Sequence, residues 1–354
     1  MKIVFFDAKD YDQASFESTL PRWREAHPDA PEISFLFYDT RLSLSTAELA
    51  RGAQVVCVFV NDLIDRELVG VLEGMGVRLI ALRCAGYNNV DIEACYGHLH
   101  VVRVPAYSPY AVAEHAMALL MTSIRRIHKA YIRTRDFNFS LSGLTGFDFH
   151  GKTVGVVGTG KIGACFINIC RGFGMHILAF DKFPNPQLAA EGVEYVSLET
   201  LWARSDIISF HCPLTDETHH LVNAASIAQM KKGVVLINTS RGALIDSEDL
   251  LEGIKSRQIG AACLDVYEEE SNVFFHDFSG HIVADDTLAR LISMPNVIVT
   301  SHQAFLTQEA LANIAETTLD NILSFHTLGY SPNELCYKCG KLETCPRSHQ
   351  EKCF

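Results

Sequence analysis

The run Thr153-Val154-Gly155-Val156-Val157-Gly158-Thr159-Gly160-Lys161-Ile162-Gly163 restricts the possible folds of this chain more than any other segment. An apolar strand leads directly into three glycines spaced G-x-G-x-x-G. Gly158 suits a tight turn, Gly160 leaves room for phosphates to approach the backbone, and Gly163 lets the next helix lie close against the strand. Phe166, Ile169, Cys170 and Phe173 then recur at the spacing of a helix with one core-directed face. The amino end of such a helix presents free N–H groups and a positive dipole end to a phosphate. A second strand, Ile177-Leu178-Ala179-Phe180, stops at Asp181. A carboxylate there accepts from both hydroxyls of a ribose and repels a 2′-phosphate. The segment therefore reads as an NAD-binding turn, with NAD favoured over NADP although Lys182 is adjacent.

The remaining pattern is also α/β. Before the glycine turn, Ile3–Phe6, Ile33–Phe37, Val55–Val60, Leu79–Leu82 and Val101-Val102 are nearly unbroken apolar runs. Such runs mark strands covered on both faces, as in a parallel sheet flanked by helices. After it, Ile177–Phe180, Ile207–Phe210, Val234–Asn238, Ala261–Leu264 and Val297–Thr300 alternate with helical patterns. A long helix is expected from Ala111 to about Tyr131, and a last one over about Thr307 to His326. The chain, 354 residues long, can hold two ordinary cores. The expected architecture is two doubly wound parallel-sheet domains with a cleft between them: a flavodoxin-like substrate domain (1–102 and 301–335) and a Rossmann NAD domain (103–300). A short cysteine-rich tail (336–354) follows.

Composition narrows the partners. With 30 basic and 42 acidic residues the formal charge is -12, a poor match for a nucleic-acid backbone. The apolar run Ile3–Phe6 is too short for a signal segment, and the Ala111–Met121 stretch is too short to span a bilayer. A cytoplasmic protein is expected.

A dehydrogenase acting on a 2-keto acid needs a cation for the carboxylate, a proton donor for the ketone oxygen, and a group that orients that donor. Doubly wound folds bind ligands at the carboxyl ends of strands. Three segments there offer suitable groups. Arg241, after the strand Val234–Ile237, can grip a carboxylate with two parallel hydrogen bonds; its plain alternative is a surface pair with Asp246. His302, after Ile298–Thr300, titrates near working pH and can give and take the ketone proton. Glu268, Glu269 and Glu270 follow a third strand, and a carboxylate from this trio beside His302 would favour the charged imidazole. Chemistry alone does not choose among the three.

These motifs together resemble the D-2-hydroxyacid dehydrogenases, most closely the fermentative D-lactate enzymes among them. The match runs through Leu82–Asp91, Arg103–Pro109, Val112–Ala116, the glycine turn, Asn238–Asp246, Leu264–Glu268 and Ser301–Phe305. It covers about residues 1 to 335. The resemblance selects Glu270 as the carboxylate partner of His302 and gives Arg241 the substrate. It implies Ala85 and Gly86 as backbone donors to the substrate carboxylate and Tyr107 in the pocket. For the cofactor it implies Gly158, Gly160, Lys161, Ile162 and Gly163 at the pyrophosphate and Asp181 at the ribose. Cys212 and Pro213 would lie along the adenosine, with Thr218, Thr239 and Ser240 nearby and Asp265 near the nicotinamide. His211, in the same wall, reads as structural. The implied reaction is reversible reduction of pyruvate to D-lactate by NADH in a homodimer or homotetramer, with the helix near Glu114 at the contact. The same chemistry on a bulkier acid such as phenylpyruvate or 2-oxoisocaproate is the near alternative, and a non-catalytic NAD-sensing scaffold the distant one.

The tail departs from the family. Cys336, Cys339, Cys345 and Cys353 crowd into the last residues of a chain with 11 cysteines. Four thiolates, or three with His349 in place of Cys353, could close a tetrahedral zinc site. An iron–sulfur cluster, with Cys345-Pro346 as its cue, is the rival; an unliganded reduced tail is the third reading.

Overall fold

The computed structural model describes residues 1–270, 273–275 and 277–337. Cys339, Cys345, Cys353 and His349 lie outside the described residues. The chain divides into two compact units, Met1–Ser108 with the chain from Thr307 onward, and Pro109–Leu306. The breaks fall six residues later than the expected 102/103 and 300/301.

In the first unit, β1 (Lys2–Phe5), β2 (Ser34–Phe37), β3 (Val55–Val58), β4 (Leu79–Leu82) and β5 (His100–Arg103) form a sheet in the order β2-β1-β3-β4-β5. Every pairing is parallel, the flavodoxin-like order expected. Each residue of β3 and β4 is buried, whereas the edge strand β2 alternates. This is the burial that continuous apolar runs encode. The helix Gln308–Leu328 returns from the other end of the chain, capped at its start by the Thr307 hydroxyl and closed by Gly329 in the left-handed region (φ 79°). Ala315, Leu319 and Ile322 on that helix pack with Phe5, Phe16 and Trp23; burying each large apolar side chain stabilises by about 1.5–3 kcal/mol. Beyond it, the Leu335 N–H donates to the Val101 carbonyl at 2.8 Å and Glu334 bridges Val102 antiparallel.

The second unit holds seven strands: β6 (Thr153–Val157), β7 (His176–Phe180), β8 (Glu194–Tyr195), β9 (Ile207–Phe210), β10 (Val234–Asn238), β11 (Ile259–Leu264) and β12 (Val297–Val299). Their order is β12-β11-β10-β9-β6-β7-β8, and every pairing is parallel. The order reverses between β6 and β9, which makes the switch point where such folds bind ligands. One apolar core includes Phe166, Ile167, Ile207 and Ile237; the other includes Phe210, Leu236, Leu264 and Leu288.

One expected element divides. The helix predicted over Ala111 to about Tyr131 is two helices, Pro109–Arg125 and Ile127–Arg135, separated by Arg126 in the left-handed region (φ 53°). The first buries a face ending at Ile124, while the second buries none of its residues. Without core packing to fix its direction, the second segment takes its own path.

Candidate active site

The glycine turn is built as its spacing requires. Gly158 has φ 94°, and a Cβ on it would lie 2.6 Å from both the Cys212 nitrogen and the His211 carbonyl carbon. A Cβ on Gly163 would lie 2.0 Å from the Gly158 carbonyl oxygen. Gly160 differs, because a Cβ there would meet nothing within 4 Å. Gly160 precedes the helix Lys161–Gly172 and gives it no side-chain cap. The free end of that helix faces open space, as a phosphate requires. Lys161 is exposed and Ile162 half-buried at this end.

Asp181 ends β7 and ties the turn together. Its Oδ2 accepts from the Thr159 N–H at 2.6 Å and the Thr159 hydroxyl at 3.0 Å, and its Oδ1 from the Phe183 N–H at 2.8 Å. A carboxylate has about four acceptor positions, so capacity for a ribose hydroxyl remains. Lys182 turns to Glu217 at 2.9 Å and does not neutralise Asp181. The neighbouring wall is held by Ser240, whose hydroxyl donates to the Cys212 carbonyl at 2.7 Å, and by Thr218, which donates to the Pro213 carbonyl at 2.7 Å. The Thr239 hydroxyl is buried with no hydrogen-bond partner among the described residues, an orphan that a bound polar ligand would satisfy. Orphan, open glycine and uncapped helix together fit a dinucleotide. His211 sits 2.9 Å from the Ser209 hydroxyl, and desolvation depresses its pKa to about 3, so its ring stays neutral.

The segments carrying Arg241, Glu270 and His302 leave the carboxyl ends of β10, β11 and β12, three neighbouring strands of the same sheet. His302 has φ 51°, a region that few non-glycine residues occupy and that clusters at functional sites. Its Nδ1 lies 2.7 Å from Glu270 Oε1. Glu270 is itself oriented, because its Oε2 accepts from the Tyr267 N–H at 3.0 Å. The other two acids of the trio go elsewhere. Glu268 pairs with His220 at 2.5 Å, and Glu269 is exposed.

The Arg241 guanidinium donates to the Ser240 carbonyl at 2.7 Å. Among the described residues it has no carboxylate at ion-pair distance. Asp246 instead caps the helix Ser247–Lys255 and faces His220 at 3.4 Å.

Three positioning features escaped the sequence reading. Asp265, expected near the nicotinamide, spends its buried carboxylate on the His302 loop. It accepts from the Thr300 hydroxyl (2.5 Å), the Gln303 N–H (3.0 Å) and the Ala304 N–H (2.8 Å), while its carbonyl accepts the His302 N–H at 2.7 Å. Burial alone would raise its pKa, but hydrogen bonds from His115, Thr300 and Ala304 outweigh it and hold the pKa below the usual carboxylate value. His115 is the second feature, 3.3 Å from Asp265 Oδ1. Gly242 is the third: a Cβ on it would lie 2.0 Å from the Tyr267 carbonyl carbon, so the Arg241 and Glu270 loops touch backbone to backbone. All three lie inside matched runs, His115 in Val112–Ala116, Gly242 in Asn238–Asp246 and Asp265 in Leu264–Glu268, but nothing in the runs told their positioning roles.

Ala85 and Gly86 follow β4, and Tyr107 follows β5, all in the first unit. The Ala85 carbonyl accepts from Arg103 at 2.7 Å. Of the four tail thiols only Cys336 is described, as a free and buried cysteine.

Comparison with known proteins gives the same direction. Residues 117–304 match the family described as D-isomer specific 2-hydroxyacid dehydrogenase, NAD binding domain. The chain is 49% identical over 336 residues to the D-lactate dehydrogenase of Escherichia coli K12, covering 95% of this chain and 100% of that one. The apo-structure of the Escherichia coli enzyme superposes with TM-score 0.84. The pyruvate reductase of Chlamydomonas reinhardtii is 44% identical with TM-score 0.85, covering 92% of this chain and 96% of that one. The Aquifex aeolicus D-lactate dehydrogenase, solved with NAD and lactic acid, is 32% identical with TM-score 0.78 and covers 92% and 95%. With the NAD turn, the doubly wound sheets and these full-length likenesses in hand, the chain belongs to the D-isomer-specific 2-hydroxyacid dehydrogenases, a family of NAD-dependent oxidoreductases.

Proposed function

We propose that this chain reduces pyruvate to D-lactate, and runs the reverse reaction, with Arg241, Glu270 and His302 in the roles that their chemistry suits. NADH, when bound at the glycine turn, supplies the hydride. Arg241 holds the substrate carboxylate through its planar fork, and no protein carboxylate among the described residues competes for it. His302 donates a proton from Nε2 to the ketone oxygen, because Nδ1 is engaged by Glu270. The Glu270 carboxylate fixes the tautomer and orientation of the ring. The 2.7 Å contact between His302 and Glu270, together with an Arg241 that meets no carboxylate among the described residues, is the observation that carries the reading. Ala85, Gly86 and Tyr107 are assigned to substrate by the family match alone.

The test is pyruvate-dependent NADH oxidation by the full chain, with the product resolved by chiral chromatography. Rapid turnover giving D-lactate is expected. Higher kcat/KM for phenylpyruvate or 2-oxoisocaproate would move the substrate to a bulkier acid, and NADH binding without turnover of any 2-keto acid would overturn the enzyme reading.

We also propose that the chain is a homo-oligomer. Ile127, Tyr131, Ile132, Phe137, Phe139 and Leu141 are all exposed on one continuous stretch, and exposed apolar clusters of this kind mark interfaces. Among the described residues no helix is long and apolar enough to cross a membrane; a cytoplasmic location rests on that and on the family. Zinc in the tail rests on cysteine spacing alone.

A further inference from the structure

The loop between β9 and β10 carries two adjacent imidazoles. The rings of His219 and His220 stack with centroids 3.9 Å apart and an interplanar angle of 27°. Glu268 meets them from the segment after β11, its Oε1 2.5 Å from His220 Nε2. One nitrogen of each ring and one oxygen of Glu268 all lie within 4.8 Å of one another. We propose that His219, His220 and Glu268 hold a divalent transition-metal ion of the zinc, cobalt or nickel class, at a site separate from the His302–Glu270 pair.

Four observations support this assignment. The donor set is right, since two neutral imidazoles and a carboxylate suit zinc, cobalt and nickel. The outer shell is partly in place. Metal-bound histidines usually give their second ring N–H to a carboxylate, and His220 Nδ1 faces Asp246 Oδ2 at 3.4 Å. Asp246 is held in turn by the N–H groups of Glu248 and Asp249, and Glu268 Oε2 accepts from the Ser247 hydroxyl at 3.3 Å. The local field favours a cation: a cavity of about 240 Å³ beside Glu268 is lined by Asp246, Glu248, Glu269 and Asp285, with no lysine or arginine in its wall. The required movement is a rotation of the His219 ring out of its stack on His220. Bonds of about 2.0–2.1 Å place tetrahedral donors roughly 3.4 Å apart, and the exposed His219 ring can swing in to close the difference. That exposure leaves one coordination position to water, so the ion exchanges with solvent.

The site touches both loops that carry the proposed chemistry. The His220 N–H donates to the Ala243 carbonyl at 2.8 Å, two residues from Arg241, and Glu268 lies two residues before Glu270. Ion binding replaces the His220–Glu268 hydrogen bond and therefore alters turnover, a consequence that rests on the roles proposed above for Arg241 and Glu270.

Optical titration of the full chain with Co²⁺ tests the site itself. Co²⁺ gives visible d–d bands with either donor set and only thiolates of the tail add strong near-ultraviolet charge transfer, so a visible band that His219→Ala removes without loss of charge transfer belongs to the nitrogen/oxygen site. The wild type is expected to show a saturable nitrogen/oxygen-type band. His219→Ala should lose it while keeping NADH affinity and any tail signal. Asp246→Asn should weaken Co²⁺ binding about 10–100-fold. An identical band and affinity in His219→Ala, or no such band in the wild type, would overturn the site and leave His220 as an ion-pair bridge between Glu268 and Asp246.

Discussion

Gly242→Ala tests how tightly the Arg241 loop must sit on the Glu270 loop. The new Cβ would lie 2.0 Å from the Tyr267 carbonyl carbon, 2.1 Å from its oxygen and 2.4 Å from the Glu268 nitrogen. All three are backbone atoms, so no side chain can rotate away. Moving the first contact from 2.0 Å to the 3.4 Å at which ordinary contact begins requires the two backbones to part by about 1.4 Å. Tyr267 gives its N–H to Glu270, so the movement is passed on to the partner of His302. A displacement of about 1 Å in a catalytic group can cost about 100-fold in rate, and that is the fall expected in kcat. Overpacking should cost about 1–3 kcal/mol, a drop in Tm of about 2–4 °C per kcal/mol for a unit the size of Pro109–Leu306. NADH affinity should hold, because the glycine turn is elsewhere on the sheet. The assay is steady-state NADH oxidation with pyruvate at a temperature below both melting transitions, beside an NADH fluorescence titration. Gly70→Ala is the control, since a Cβ there meets nothing within 4 Å. A folded, NADH-binding Gly242→Ala with kcat within about twofold of wild type would refute the reasoning.

Three further outcomes are expected. His302→Asn should lower kcat by about 10²–10⁴ with NADH affinity kept, whereas Arg241→Lys should raise KM about 10–100-fold through loss of the two-bonded grip, an interaction of about 1.5–3 kcal/mol; steady-state kinetics separates the two, and the reverse pattern would exchange their roles. His211 has its folded pKa depressed to about 3, so below its unfolded value of about 6.5 the unfolded chain takes the proton first and stability falls as pH falls. Urea unfolding at pH 7 and pH 5 should show wild type losing about 2 kcal/mol more than His211→Gln, and equal losses would show that the ring is not desolvated. For the tail, metal analysis of zinc-loaded protein should show about one more zinc per chain in the full chain than in one ending at Leu335, with NADH oxidation equal in both; equal metal content would remove the tail as a ligand.

The sheets were legible because strands buried on both faces must be apolar throughout, as in β3 and β4. The glycine turn was legible for a different reason. Its three positions are dictated by approaches between atoms close in sequence, such as Gly163 against the Gly158 carbonyl. Tertiary choices were not legible. Glu268, Glu269 and Glu270 are chemically equal, and only the fold sends the first to His220 and the third to His302. Asp265 read as a ligand contact, yet its carboxylate accepts from donors 35 to 39 residues away. Arg126 gave no sign of its left-handed turn, because no glycine or proline marks the break and the residues after it make no buried face.

The short antiparallel pairing of Glu334 and Leu335 with β5 has a further effect. The rim of an open sheet exposes unpaired N–H and C=O groups that invite strands from other molecules. Here the last matched residues occupy part of that rim, and His100 locks them with a 2.6 Å contact to Glu334. The chain's final matched segment thus guards this edge against added strands, and the cysteine extension begins where that guard ends.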